Sequence, residues 1–422
     1  MNPRQLAAKA LNKVTAEGAY SNLVLNSLLK ENELSNEDKA LATAIFYGTL
    51  DRLVTVDFYL KKLIKTPLKK LKPYTLAVLR TATYQIKYMS KIPDSAAVNE
   101  AVKLIKTSKE SFNASFVNAV LRNLLRSDIP LPSGNSIYDI SVGYSCPQWI
   151  VSTLIRDYGI DFTSAFLENA LLSPPVFIRV NTLKTNVDEL LTLFTERHIS
   201  AEKISDTALL IKPDGSVEEL DEYKNGLFFV QDLSCQKAIE LLGITETSSV
   251  LDLCAAPGGK SFNAAMRAKE GRVVSCDLYE QRAGLIEKGA ERLGLKNLTA
   301  RANDATVYDE RLGRFDRIIC DVPCSGLGVI RRKPDIKYKP QDSFEELIKI
   351  QKDILFCADN YLSVGGKLLY STCTLNRQEN RENVDAFLKA NPNYTLLTEE
   401  TFSPDKNNTD GFYAAVLQKD KP

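Results

Sequence analysis

Two cysteines, Cys324 and Cys373, stand where a sequence could do chemistry. A candidate strand at 316–321 leads into Asp321-Val322-Pro323-Cys324-Ser325-Gly326-Leu327-Gly328. Another, 366–372, leads into Ser371-Thr372-Cys373-Thr374. A third, 249–254, passes into Cys254-Ala255-Ala256-Pro257-Gly258-Gly259-Lys260-Ser261. A glycine turn between a strand and a helix lets a ligand approach the backbone closely. The next two strands, 272–277 and 297–301, end at Asp277 and just before Asn303-Asp304. A carboxylate placed like Asp277 can accept both ribose hydroxyl protons, as in dinucleotide folds. Asp304 is a candidate partner for an adenine amino group.

Several readings of the glycine turn compete. A Walker A loop needs G-x-x-x-x-G-K-[ST]. Gly259-Lys260-Ser261 satisfies its end, but Cys254 stands where its first glycine belongs. The dinucleotide fingerprint G-x-G-x-x-G is absent. A loop that receives S-adenosylmethionine remains, beside the plain alternative of a tight turn with no ligand. Acidic residues at two successive strand ends favour an adenosine-containing ligand. Most cysteines are small buried hydrophobes, and Cys146, Cys235, Cys276, Cys320 and Cys357 are read that way. No CxxC pair occurs and the one histidine, His198, is remote in sequence, so no metal site is expected.

A cysteine pair beside such a loop suits methyl transfer to carbon. Cytosine C5 is a poor nucleophile. A thiolate that adds to C6 makes C5 enamine-like, able to attack a sulfonium methyl group; a base then takes the C5 proton and the thiolate leaves. Asp321, three residues before Cys324, could hold or protonate N3 and grip the exocyclic amine. Lys260 could stabilise charge or orient Asp321. Spacing alone does not rank Cys324 against Cys373.

These groups need a scaffold that gathers strand ends. From 231 onward short strands at 249–254, 272–277, 297–301, 316–321, 366–372 and 412–418 alternate with segments long enough for crossover helices. That pattern predicts an α/β, doubly wound, Rossmann-like domain at 231–422 with a parallel sheet. Residues 146–230 read as a small α+β module, with helices near 148–158, 162–171 and 186–197 and strands at 176–181 and 208–212. Residues 1–128 read as all-α: Leu6, Ala7, Ala10, Leu11 and Val14 recur at helical spacing, and Ser35 with Asp38 forms a capping-box pattern. The stretch 129–145, with Pro130, Pro132, Gly134 and Gly143, reads as a linker.

The 422 residues suit two or three domains. With 44% hydrophobic and 25% charged residues, the chain is neither disordered nor membrane-spanning. No secretory signal is read at Met1–Leu6, and eight cysteines without a pattern fit a reducing cytoplasm. The net charge of +1 hides an asymmetry: residues 1–130 carry 20 Lys+Arg against 11 Asp+Glu. The excess lies in 51–130, with 15 basic and 6 acidic side chains. It points to nucleic acid, or simply to a solvated basic surface.

Across nearly its whole length the chain resembles the bacterial 16S rRNA cytosine-C5 methyltransferases of the RsmB (Sun, Fmu) type. The likeness rests on Leu251 through Ser261, on Asp321-Val322-Pro323-Cys324-Ser325-Gly326, and on Ser371-Thr372-Cys373-Thr374 with Glu379-Asn380 after it. Phe229 through Gln236 and Arg331 through Tyr338 add to it. The helical start resembles the NusB-type RNA-binding domain through Val98-Asn99-Glu100-Ala101-Val102 and Phe116 through Arg122.

The resemblance implies S-adenosylmethionine held by Cys254, Ala255, Ala256, Pro257, Gly258, Gly259, Lys260, Asp277, Arg282, Asp304 and Asp321. It implies Cys373 as nucleophile and Cys324 as the cysteine that assists release, since the RNA members use the Thr-Cys cysteine. Val322 and Leu327 depart from the pattern without touching a proposed catalytic atom. The implied partner is 16S rRNA or an early small-subunit assembly intermediate; the chain itself is expected to be a monomer. Rivals are a relative acting on tRNA or another rRNA site, an RNA assembly factor with an inactive fold, and a P-loop NTPase.

Overall fold

The computed structural model describes residues 1–213, 215–341 and 343–421. They form two compact units. One is Met1–Leu171 together with Arg332–Lys339; the other is Leu172–Arg331 with the chain from Pro340 onward.

The first unit is helical. Asn2 caps the opening helix, Pro3–Glu17, by accepting from the Gln5 amide, with proline in the first turn. Its apolar stripe, Leu6, Ala7, Ala10 and Leu11, packs with Leu25 and Leu28 and with Ala42, Ile45 and Phe46 of Asn36–Asp51. Ser35 caps that helix, its Oγ 3.1 Å from the Asp38 amide. A second cluster gathers Val56, Leu60, Leu79, Val98, Ile105, Val117 and Leu121. The proline- and glycine-rich stretch 129–145 is not structureless. It carries the helix Ile137–Gly143, started by a full Ser136–Asp139 capping box. Ile140 and Val142 are buried, and Thr55 Oγ1 donates to the Val142 carbonyl at 2.6 Å.

Residues 332–339 complete this unit. They form the 3-10 turn Pro334–Tyr338. Lys337 Nζ, almost fully buried, donates to the Asp51 backbone oxygen (2.7 Å), to Asp51 Oδ1 (2.9 Å) and to the Ser145 oxygen (3.1 Å). Tyr338 OH donates to the Leu50 oxygen at 2.9 Å.

The second unit holds two sheets. The smaller contains β1 (Val176–Val180), β2 (Ser200–Ser205), β3 (Ala208–Lys212) and β4 (Phe228–Val230), antiparallel in the order β2-β3-β1-β4. Its core is Ile178, Val180, Leu190, Phe194, Leu209, Ile211 and Phe228. Asn181 Nδ2 donates to the Gly226 and Leu293 carbonyls, both at 2.8 Å, and so fixes this sheet to the larger one.

The larger sheet has β5 (Ser249–Asp252), β6 (Arg272–Asp277), β7 (Leu298–Ala302), β8 (Phe315–Asp321), β9 (Leu362–Thr372), β10 (Tyr394–Phe402) and β11 (Phe412–Lys419). Their order is β10-β11-β9-β8-β5-β6-β7. β5 to β9 are parallel, but β11 runs antiparallel to both β9 and β10, so the sheet is mixed where a parallel one was expected. The cause is length: the 403–411 connection is too short for a crossover helix, and a parallel return needs a dozen or more residues. Apolar clusters cover both faces. The strand order reverses between β5 and β8, the place where such sheets bind ligands.

Among the described residues, no helix is long and apolar enough to cross a membrane, and no group of three or more His, Cys, Asp or Glu is placed to hold a metal ion.

Lys337→Ala should strand Asp51 and destabilise the helical unit. Breaking a largely buried ion pair, here partly solvated on the Asp51 side, costs roughly 2–4 kcal/mol. Denaturant unfolding followed by helical circular dichroism should show an early helical phase. An unshifted transition would count against the anchor.

Candidate active site

β5 ends at Asp252 and its extension turns sharply. The Leu253 amide donates to Ile319 O (3.0 Å) and the Ala255 amide to Cys276 O (2.8 Å). The Ala256–Pro257 peptide is cis. Gly258 sits at φ +110°, and a Cβ there would lie 2.3 Å from Phe262 Cζ, so only glycine fits. The helix Gly259–Arg267 starts immediately afterwards. Gln231 Nε2 donates to the Gly259 carbonyl at 2.9 Å and holds the turn from outside.

Asp252 is fully buried. Its Oδ2 accepts from Ser261 Oγ at 2.6 Å. Burial pushes this carboxyl up to about 7, against the opposing bond from Ser261.

Asp277, at the end of β6, is nearly buried. Its Oδ2 accepts from the Ala256 amide at 3.1 Å, and its Oδ1 faces Arg282 Nε at 3.2 Å. Arg282 Nη2 also donates to the Ala256 carbonyl at 3.0 Å. Asp304, after β7, is exposed, and its Oδ1 accepts from the Thr306 amide and hydroxyl at 2.9 and 2.7 Å. Exposed Leu278, Tyr279 and Val307 adjoin these carboxylates in sequence. Carboxylate acceptors with apolar neighbours suit hydroxyl donors and a flat ring better than phosphates.

Lys260 confirms that distinction. Its Nζ lies 2.7 Å from Asp321 Oδ2, 3.5 Å from Cys235 Sγ and 4.9 Å from the centre of the Phe412 ring. Burial would lower its pKa, but Asp321 and its other acidic neighbours outweigh burial, and the ammonium is held charged. A lysine so engaged is not presented to a nucleotide phosphate. Asp321 is held on its other oxygen too: Ser371 Oγ donates to Oδ1 at 2.9 Å. Ser371 and Cys235 were not picked out as site residues by the sequence reading. Cys235 was read as a buried hydrophobe; it is half-buried beside Lys260, and burial pushes its thiol up to about 12. Its position within Phe229–Gln236 was the available signal.

β8 and β9 are paired with Asp321 opposite Ser371. Their ends carry Cys324 and Cys373, whose sulfurs lie 3.2 Å apart. The bond with Cys373, and then burial, push the Cys324 thiol well above the ordinary thiol range. Burial also pushes Cys254 well up. None of the eight cysteines is in a disulfide. The structure thus gathers Lys260, Asp321, Cys324 and Cys373 on β5, β8 and β9, with Cys254–Gly259, Asp277 and Arg282 on the β5–β6 side. Asp304 stands further along, after the edge strand β7.

A Rossmann-like sheet with this loop, ion pair and thiol pair at its switch point has the architecture of a methyltransferase. Comparison with known proteins agrees. Residues 239–418 match the family described as 16S rRNA methyltransferase RsmB/F. Residues 1–126 match the NusB family, and 146–218 match the RsmF/B-like ferredoxin-like domain. The chain is 40% identical to the probable ribosomal RNA small subunit methyltransferase B of Bacillus subtilis, covering 99% of this chain and 98% of that one. It is 33% identical to ribosomal RNA small subunit methyltransferase B of Yersinia pseudotuberculosis, with 99% of each covered. The crystal structure of PH0851 shares the fold at a TM-score of 0.82 and 24% identity, over 99% of each chain. NSun6 from Pyrococcus horikoshii shares it at 0.60 and 20% identity, over 65% of this chain and 99% of that one. The chain belongs to the RsmB/F family of 16S rRNA methyltransferases.

The raised Asp252 carboxyl makes stability depend on pH. Between its unfolded value near 4 and its folded value near 7 the native state holds a proton that the unfolded chain has lost. This residue's contribution is therefore fully present below about 4 and is lost as pH rises towards 7. Asp252→Asn removes that dependence. The melting temperature of the variant should gain on wild type as pH rises from 4 to 7.5; a constant difference would refute the buried titration.

Proposed function

We propose that this chain transfers a methyl group from S-adenosylmethionine to C5 of a cytosine in 16S rRNA, through a Cys373–C6 adduct. The observation that carries the reading is the thiol pair itself, 3.2 Å apart and beside a carboxylate held on both oxygens. Cys254 through Lys260, Asp277, Arg282, Asp304 and Asp321 would hold the cofactor. When bound, S-adenosylmethionine supplies an electrophilic methyl group.

The chain's own groups do the rest. The Cys373 thiolate bonds to C6, which raises electron density at C5. Asp321 meets N3 and the exocyclic amine, and its pairing with Lys260 and Ser371 fixes its orientation. Two neighbouring thiols cannot both ionise easily, and the bond with Cys373, then burial, raise the Cys324 thiol. The choice of Cys373 as nucleophile rests on its Thr-Cys setting, Thr372-Cys373. Cys324 acts in the second half, when the C5 proton is lost and the Cys373–C6 bond breaks.

Cys324→Ala should accordingly attack, transfer the methyl group and stall. With cofactor present it should accumulate an RNA adduct that survives a denaturing gel. Cys373→Ala and the double variant should form none. An adduct from Cys373→Ala and none from Cys324→Ala would reverse the roles, and no adduct from either would sink the covalent route. The inactive-fold rival predicts no methylation by the wild type.

The helical residues 1–128 and the module at 146–230 would supply RNA affinity, leaving chemistry to 231–422. A cavity of about 720 Å³ in the helical unit is lined by Lys61, Lys65 and Lys69, with Arg80 paired to Asp57 at its wall. Each phosphate contact steepens the fall of affinity with salt by about 0.7–0.9 in logarithmic slope. Replacing the three lysines together by glutamine should flatten the slope of 16S rRNA binding by about 2 and leave cofactor binding intact. Filter binding across salt concentrations checks this, and an unchanged slope would remove the cavity from the RNA surface.

A further inference from the structure

The two sulfurs belong to separate loops, and strand pairing alone ends before either of them. The last paired residues are Asp321 and Ser371. The sulfurs nonetheless lie 3.2 Å apart, and the residues that flank them belong to a buried polar network centred on two adjacent residues.

Glu379 is fully buried and accepts on both oxygens. Oε2 receives the Ser325 amide at 2.8 Å and Gln351 Nε2 at 2.9 Å. Oε1 receives Ser325 Oγ at 2.5 Å and Asn376 Nδ2 at 3.2 Å. Gln351 Nε2 also donates to the Pro323 carbonyl at 2.9 Å. The residues on both sides of Cys324 are therefore held.

Asn380 does the same for Cys373. Its Oδ1 receives Thr372 Oγ1 at 2.5 Å, and its Nδ2 donates to the Thr374 carbonyl at 2.9 Å. The grips are joined: Ser325 Oγ and Thr374 Oγ1 are 2.8 Å apart, and the Gly328 amide donates to the Cys373 carbonyl at 3.0 Å. Four donors converge on one carboxylate, so an acceptor-only group is required; an amide there would turn a donor towards donors.

We propose that Glu379 and Asn380 are positioning residues that register the two thiols against one another. They touch neither substrate nor cofactor and act through the residues that flank each cysteine. The inference rests on the thiol-pair reading above. Two groups that serve one pyrimidine ring in successive steps must be placed to within a fraction of an ångström, and a misplacement near 1 Å can cost on the order of 100-fold in rate.

The test uses the full-length protein with Glu379→Gln, Glu379→Asp and Asn380→Asp. Two readouts are needed. In steady-state methylation of 16S rRNA, E379Q should lose kcat on the order of 100-fold. Its KM for RNA and its affinity for S-adenosylmethionine should stay within about twofold, because no contact to either is removed. E379D, which keeps the charge and both acceptors, should recover part of the loss.

The second readout is independent of catalysis. Phenylarsine oxide bridges two thiols only when they are close together. The wild type should show a capture event that disappears in Cys324→Ala and in Cys373→Ala. In E379Q and N380D its affinity should fall roughly tenfold or more, as the second thiol's effective concentration drops. Single-thiol alkylation rates of denatured samples serve as the control.

Wild-type kcat and wild-type capture in E379Q would overturn the proposal. So would losses of kcat, RNA affinity and capture that all track the unfolded fraction, because that is what a merely structural carboxylate gives. If capture falls in E379Q while Cys324→Ala traps no RNA, the registration stands and the covalent reading is what fails.

Discussion

The pairing of Lys260 with Asp321 joins the two halves of this site. Lys260 belongs to the first turn of the helix that follows the glycine turn after β5, and Asp321 ends β8. Their 2.7 Å contact closes the gap at which strand order reverses. The lysine is almost fully removed from water while Asp321 keeps about a third of its side-chain surface exposed. That imbalance matters. A fully buried pair would face a large desolvation cost and have no reason to be reached by a ligand. Here the buried ammonium orients the carboxylate, whose open side stays in contact with solvent. Ser371 holds the other oxygen, so β9 is drawn into the same arrangement.

Around that pair the electrostatics divide into two neighbourhoods. On the β5–β6 side, carboxylates engage backbone amides and an arginine, an acceptor-rich lining fit for hydroxyl groups. On the β8–β9 side the Asp321 charge is met by donors, and Cys373 packs against apolar residues. One sheet provides both neighbourhoods because its strand order reverses between β5 and β8.

Much of this was legible in the sequence, for physical reasons that can be named. Strands at 272–277 and 316–321 show as short segments with a β-branched centre, Val273-Val274 and Ile318-Ile319, and the aspartates at their ends follow directly. β10 was not seen because its side chains alternate between solvent and partial cover, with Thr398, Glu399, Glu400 and Thr401 reading as a polar loop. β2, Ser200–Ser205, is a polar edge with no buried residue, and β4 has three residues. The antiparallel insertion of β11 follows from a loop length that composition does not weigh. Glu379 and Asn380 were noticed only as a match to a pattern. Their partners lie 28 and 54 residues away for Glu379, so their role is invisible until the chain is folded. Lys337 is the extreme case: it was one basic residue in a run of several.

Lys337 also has a consequence for the order in which the chain can finish folding. The helix that ends at Asp51 and the turn that carries Ser145 leave the ribosome early, yet the cation that satisfies them arrives 286 and 192 residues later. Until then the helical unit is an unfinished surface with exposed acceptors. Residues 332–339 lie inside the stretch that matches the methyltransferase family, a few positions beyond Cys324, yet they are part of the helical unit. Translation therefore completes the helical unit only after it has passed Cys324, and a gene fragment that stops at the end of the NusB match would deliver that unit incomplete.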